Sequence, residues 1–248
     1  MPVPLNIALL SAGVLGFRHG IDYDHIAAIC DVTSVQTSPA RAMRLGLLYA
    51  LGHAAIVAAL GSTVILFRLS LPHGIDRFAE VLVGATLIVL GLYVLASLIW
   101  RQHTHSPKSR ALLLAAAGRW VRWKVQQLWN PQLERPASFA LNYDPKSVFA
   151  VGMIHGLGAE TPTQLLVFLL AANLGGTQKG FLGLTAFLLG LLLMNTLMTA
   201  SAAGLFQIGT VAPKIQRALM GITAAYSFIV GVVFVMGSSS ILPALGGG

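Results

Sequence analysis

Six stretches of this chain are apolar for long enough to cross a lipid bilayer, and no other feature restricts its fold so severely. A membrane-spanning helix needs about 20 residues. The runs fall at about 5–36, 44–67, 78–100, 147–173, 180–206 and 214–237. With no water in the hydrocarbon core, every backbone N–H and C=O must be satisfied within the segment, which a helix does. Only 10% of the residues are charged and 56% are hydrophobic, whereas a soluble domain carries about a quarter charged residues. The expected fold class is therefore all-α, a polytopic membrane helix bundle. The first run is longer than one crossing requires, so it is tilted or broken. It lacks a basic leader and continues into polar residues, so it is read as part of the fold and not as a cleaved signal.

The net charge of +8 reports topology. Placing successive loops on alternate sides collects Arg41, Arg44, Lys214, Arg217 and the eight basic residues from Arg101 to Lys146 on one side. Only Arg68, Arg77 and Lys179 fall on the other. Lys/Arg excess marks the cytoplasmic face, so both termini are expected outside a cell (inner) membrane. No nucleic-acid partner is expected, because no aromatic-interleaved basic face accompanies the charge. The single cysteine, Cys30, excludes an intramolecular disulfide and reads as a packing residue.

Residues 101–146 form the one long non-spanning stretch. "RQHTHSPKSR" reads as a polar linker, with His103 and His105 as solvated groups. "ALLLAAAGRWVRWKVQQLW" mixes Trp120, Trp123 and Trp129 with Arg119, Arg122 and Lys124, the pattern of an amphipathic helix lying in the cytoplasmic interface. The loop divides the chain into 1–100 and 147–248, each with three spans. "RHGIDYDH" recurs as "IHGLGAET": His19 with His155, Gly20 with Gly156, and Asp24 with Glu160, each pair 136 residues apart. Three spans per unit make the second copy enter from the opposite side. The expectation is two inverted three-helix repeats, an arrangement that places transported substrates near mid-membrane.

The charged cluster demands an explanation of its own. A carboxylate at the bilayer centre costs roughly 2.5–3.5 kcal/mol, so Asp22, Asp24 and Glu160 together cost on the order of 8–10 kcal/mol if uncompensated. A water-filled cavity, a cation or a proton offsets this. His19, Asp22 and His25 share one face of a continuous helix, while Asp24 points about 140° from His19 at 100° per residue. Convergence of His19, Asp24 and His25 therefore requires local unwinding, which Gly20 eases. His53, His155 and Glu160 in other spans extend the set to nitrogen and oxygen donors. That chemistry suits nickel, cobalt, zinc or copper(II), and an all-oxygen set would suit magnesium or calcium. Each residue alone has a plainer reading: His53 as an interhelical hydrogen-bonding group, His25 with Asp22 as a packing ion pair, Asn195, Thr196, Thr199 and Ser201 as packing polar groups, and Pro162 as a kink. The four-residue cluster in one span is not explained that way.

At these residues the chain resembles the nickel/cobalt transporter family, whose signature is His, four residues, then Asp-His: here His19, Asp24 and His25. The family's R-H-A-x-D-A-D-H-I stands against "RHGIDYDHI". Gly52 and His53 match its Gly-His. "LGAETPTQ" matches L-G-F-D-T-A-T-E, aligning Glu160, Thr161 and Thr163, and "GLLLMNTLM" matches G-M-x-L-x-D-T-x-D. Gln164, Asn195 and Met198 replace family acids, and Ala54-Ala55 replaces Ser-Thr. The chain begins near the signature and so resembles the shorter six-span members, including those near urease accessory genes. The resemblance implies uptake of Ni²⁺ or Co²⁺; the residues alone imply handling of a divalent transition metal, Zn²⁺ included.

The expected function is secondary transport by alternating access, with no permanent cofactor and the metal ion as substrate. His19, Asp24, His25 and His53 are the expected ligands, Asp22 orients a histidine, and His155 and Glu160 close the site or carry a counter-moving proton. Export by the same fold is the nearest rival. An intramembrane metal enzyme is another, against which the H-E-x-x-H pattern is absent. Haem held between facing histidines is a third.

Overall fold

The computed structural model describes residues 5–67, 75–100, 143–158 and 162–238, and the regular structure there is helical throughout. Seven helices follow in order: α1 Leu5–His19, α2 Tyr23–Ser34, α3 Pro39–Phe67, α4 Ile75–Trp100, α5 Pro145–Gly158, α6 Pro162–Val211 and α7 Pro213–Val235. Glu160, the tryptophan-rich stretch, His103 and His105 lie outside the described residues. Four helical segments are long and apolar enough to cross a membrane: Pro39–Phe67, Arg77–Leu98, Gly176–Phe206 and Lys214–Val235. Their outward faces carry Val89, Leu189, Leu193, Ile222 and Ile229, all largely exposed. In α6 the buried residues Leu184, Phe187, Leu191, Asn195 and Thr199 recur every three or four positions, on the opposite stripe. Apolar surface on both sides of each helix is what a bilayer as solvent selects, and the chain is an integral membrane helix bundle.

The first apolar run is broken. α1 ends in tight turns, with Ile21 N donating to Arg18 O (2.9 Å) and Asp22 N to His19 O (3.1 Å). Asp22 then takes an extended conformation (φ −61°, ψ 154°) that redirects the chain into α2. α2 is central: it packs against α3, α4, α6 and α7, and nine of its twelve residues are buried. The α6 segment is interrupted too, at Gly176 with φ 79°, a backbone conformation open mainly to glycine. The sequence reading separates its fourth and fifth spans at this place.

Small residues bring the backbones into contact, as in membrane helix pairs generally. A Cβ on Gly16 would collide with the Phe187 carbonyl, and one on Gly190 with the Gly13 carbonyl, so α1 lies directly on α6. The same pattern joins α5 to α3, where Gly152 meets the Tyr49 carbonyl and Gly52 the Phe149 carbonyl. Between α4 and α7, Gly84 faces the Gly231 carbonyl and Gly231 faces that of Gly84. At one end Arg77 donates to the Phe234 and Val235 carbonyls, capping α7. At the other, Arg41 donates to the Tyr143 carbonyl.

Candidate metal centre

The break at residues 20–22 sets the two signature histidines on different helices. His19 closes α1 and His25 lies in the first turn of α2. His53 comes from α3, with fourteen of that helix's 29 residues on either side of it, so the meeting point is half-way along that helix. One nitrogen from each of His19, His25 and His53 falls within 4.8 Å of the other two. All three rings are buried. Ring centroids are 5.0 Å apart for His19–His25 and 4.4 Å for His25–His53.

The hydrogen-bond pattern aims the donors. His19 Nδ1 lies 2.9 Å from Asp22 Oδ2. A carboxylate accepts only, so Nδ1 carries the proton and Nε2 presents its lone pair to the pocket. That Nε2 is 3.3 Å from His53 Nε2. Two nitrogens bound to one metal at about 2.1 Å are roughly 3.0 Å apart at a right angle and 3.4 Å at the tetrahedral angle. The observed spacing lies in that interval. Asp22 makes no side-chain bond to its own helix start, because its carboxylate is spent on His19. It is also the part of the cluster that reaches outward, with 44% of its side chain exposed against 1% for His19.

Among the described residues, neither nitrogen of His25 has a hydrogen-bond partner, and His53 Nδ1 has none. A buried polar group left unpaired costs about 1–3 kcal/mol. Unpaired nitrogens on two of the three converging rings leave donors free for something the site binds. Asn195 of α6 stands beside His25 but outside hydrogen-bond geometry. A Cβ on Gly20 would sit 3.3 Å from the Asn195 side-chain oxygen.

The remaining expected residues are placed differently. Asp24 is buried but is not one of the three-ligand group; its Oδ2 lies 3.9 Å from His155 Nδ1. The reason is phase. α2 restarts at Tyr23, and adjacent residues on a helix diverge by about 100°, so His25 and Asp24 face different neighbours. His155 in turn is held by α3 and α4: Tyr49 Oη is 3.0 Å from its Nδ1 and Thr86 Oγ1 is 2.7 Å from its Nε2. Tyr49 and Thr86 were not singled out from sequence, since a lone hydroxyl in an apolar helix carries no distinguishing pattern. Asn195 was read as a packing group.

No family model matches the chain, and no solved structure matches it. Three curated proteins are similar to it. The hydrogenase nickel incorporation protein HupN of Bradyrhizobium diazoefficiens is 30% identical over 188 residues, 69% of this chain and 46% of that protein. The high-affinity nickel transport protein of Cupriavidus necator is 35% identical over 100 residues, 39% of this chain and 28% of that protein. The urease accessory protein UreH of Bacillus sp. strain TB-90 is 24% identical over 231 residues, 91% of this chain and 90% of that protein. The chain thus spans less than half the length of the first two relatives and about nine-tenths of the third. All three relatives lead to the same group of proteins, and the signature that supplies His19 and His25 points there as well: the chain belongs to the nickel/cobalt transporter family.

Proposed function

We propose that this protein is a secondary transporter that moves Ni²⁺ across the membrane by alternating access, with Co²⁺ as a second substrate and Zn²⁺ as a weaker one. One observation carries the reading: three imidazoles from three helices converge half-way along α3, beside the break in a membrane helix. Neutral imidazole donors select transition metals over magnesium or calcium. The similarity to proteins named for nickel transport and nickel incorporation supports the same choice.

The mechanism follows from the donors. A hydrated ion reaches the half-exposed carboxylate of Asp22 and sheds waters to His19 Nε2, His25 and His53. Asp22 fixes the His19 tautomer and raises its basicity. Binding draws on neutral imidazoles, so His53 must shift its proton to Nδ1 to offer Nε2. Asp24 and His155, 3.9 Å apart, form the next station. Their separation from the triad gives the ion somewhere to go.

Alternating access needs two mirrored halves, and the glycine contacts support six spans arranged as inverted repeats, 1–100 and 147–248. Gly16 and Gly152, like Gly13 and Phe149, differ by 136 residues, and Tyr49 and Phe187, like Gly52 and Gly190, differ by 138. The α1–α6 contact is thus repeated, residue for residue, by α5–α3. The reciprocal Gly84–Gly231 approach supports a pseudo-twofold axis between α4 and α7. The basic residues Arg41, Arg44, Lys146, Lys214 and Arg217 favour a cytoplasmic loop 101–146, with both termini outside the inner membrane; uptake is the proposed direction, in keeping with a relative named for nickel incorporation.

The test is Ni²⁺ accumulation in cells and in oriented vesicles. His19→Ala and Asp24→Asn abolish it while the folded protein remains in the membrane. Normal transport by both variants refutes the assignment. Flux in right-side-out against inside-out vesicles decides import against export.

A further inference from the structure

Beyond the triad on the same central helix sits a carboxylate that the transport reading leaves unused. Asp31 of α2 is fully buried, neither of its oxygens has a hydrogen-bond partner, and among the described residues it makes no ion pair. It sits among Ala27, Ala28 and Val32 of its own helix, all fully buried. The group set against it from α7 is Ser227, equally buried and with its own hydroxyl unpartnered. Gly91 of α4 closes this corner, since a Cβ there would stand 3.3 Å from the Ser227 Cβ. The other titratable groups that the packed helices carry inside the bundle are Tyr49 and His53 on α3, Tyr93 on α4 and Tyr226 on α7. None of them bonds to Asp31. The described buried stretch of α6 carries none, and its Lys179 is exposed. On α2 itself, Cys30 is the adjacent titratable residue.

An ionised carboxylate shut away from water and from any cation is among the costliest groups a membrane protein can hold. A metal ion does not answer that need here, because one carboxylate and one hydroxyl supply too few ligands for a divalent ion. A proton needs a single oxygen and no room. Asp31 also follows His25 by six residues, about 9 Å of helical rise. At that range, in a low-dielectric interior, a doubly charged ion in the triad acts strongly on whatever charge Asp31 carries.

We infer that Asp31 is a proton site coupled to the metal site: it holds a proton while the triad is empty and releases it when a divalent ion binds. The inference rests on the triad being the metal site. In the step, the carboxyl O–H bond breaks, its electron pair stays on the carboxylate, and the proton passes to water. The bound ion offsets the new negative charge. When the ion leaves, Asp31 takes a proton again, so about one proton is exchanged per ion at this residue.

The test is calorimetric titration of the purified full chain with Ni²⁺ in two buffers of different ionisation enthalpy, which counts the protons released per ion. Asparagine is the neutral isostere of a protonated aspartate, so Asp31→Asn folds, binds Ni²⁺, and releases about one proton fewer per ion than the parent. Its affinity also rises less steeply with pH, by about one power of ten per pH unit. An equal proton count in the two proteins overturns the inference and leaves the metal site standing. Failure of Asp31→Asn to fold overturns it too, because a site built to hold a neutral carboxyl accepts the amide. If the parent binds no Ni²⁺, the metal-site reading fails first and this one with it.

Discussion

Asp22→Asn isolates what one outward-reaching carboxylate contributes to metal capture. Asparagine still offers an oxygen to His19 Nδ1, so the tautomer survives and only the charge is lost. The carboxylate oxygen is 2.9 Å from Nδ1. The imidazole and a metal–nitrogen bond of about 2.1 Å extend this to roughly 7 Å between charge and ion. Because 44% of the Asp22 side chain is exposed, the effective dielectric is close to that of water. At 7 Å a divalent ion and a carboxylate then attract by about 1–2 kcal/mol. That predicts a Ni²⁺ affinity roughly 5- to 30-fold weaker, at the lower end of what outer-shell partners of metal-bound histidines are worth. Titration of purified Asp22→Asn at low and at 0.5 M salt is the assay, and the difference from the parent shrinks as salt screens the exposed group. A variant indistinguishable from the parent at low salt refutes the orienting role. A loss as complete as that of His19→Ala refutes it from the other side, because it makes Asp22 a direct ligand.

Four further outcomes follow from the same geometry. His25→Phe fills a comparable volume without nitrogen donors, so it folds but lowers Ni²⁺ affinity by about two orders of magnitude or more, the loss of a ligand exceeding that of its orienting partner; titration checks it. Tyr49→Phe removes the hydroxyl at His155 Nδ1 and leaves the triad untouched, so transport slows while equilibrium binding holds, a split that vesicle flux beside calorimetry resolves. Gly16→Leu and Gly152→Leu drive a side chain into the facing carbonyls of Phe187 and Tyr49 and yield little folded protein by size-exclusion chromatography. Gly204→Ala, where a Cβ meets nothing within 4 Å, is tolerated and stabilises its helix by about 0.5–1 kcal/mol, which a thermal-melt comparison registers.

The bundle was legible because a bilayer demands a long apolar run for each crossing, and such runs survive uncertainty about any one residue. The interruption of the first run was legible for the same reason in reverse, since Gly20 and five ionisable residues cannot continue it cheaply. The partners of each signature residue were harder to read. A helical wheel drawn through Gly20 assigns His19, Asp22 and His25 to one face, yet the extended Asp22 resets the phase between α1 and α2, and within α2 the neighbours Asp24 and His25 diverge by about 100°. Tyr49 and Asn195 stayed hidden because burial, not residue type, distinguishes them from the other hydroxyls and amides of α3 and α6, and Thr86 because only its contact with His155 does so on α4. The His53 ring was visible as a Gly-His pair, but its 3.3 Å approach to His19 depends on α1 and α3 both packing against α6.

The distribution of charge within the site explains how a bilayer protein keeps it. The groups at the centre are imidazoles, which are polar but neutral when the pocket is empty and so avoid the full penalty of a buried ion. The carboxylates stand one layer out: Asp22 toward the exterior, Asp24 against His155, Asp31 deeper along α2. On the proposed reading, a divalent ion that has passed Asp22 is held by uncharged donors and finds its counter-charges at a distance, where they attract without gripping. A site with all its acids in contact with the metal would bind more tightly and release more slowly. In the proposed mechanism, neutral donors backed by remote acids hold an ion briefly, and the place of Asp24 outside the three-histidine group leaves the next position open to receive it.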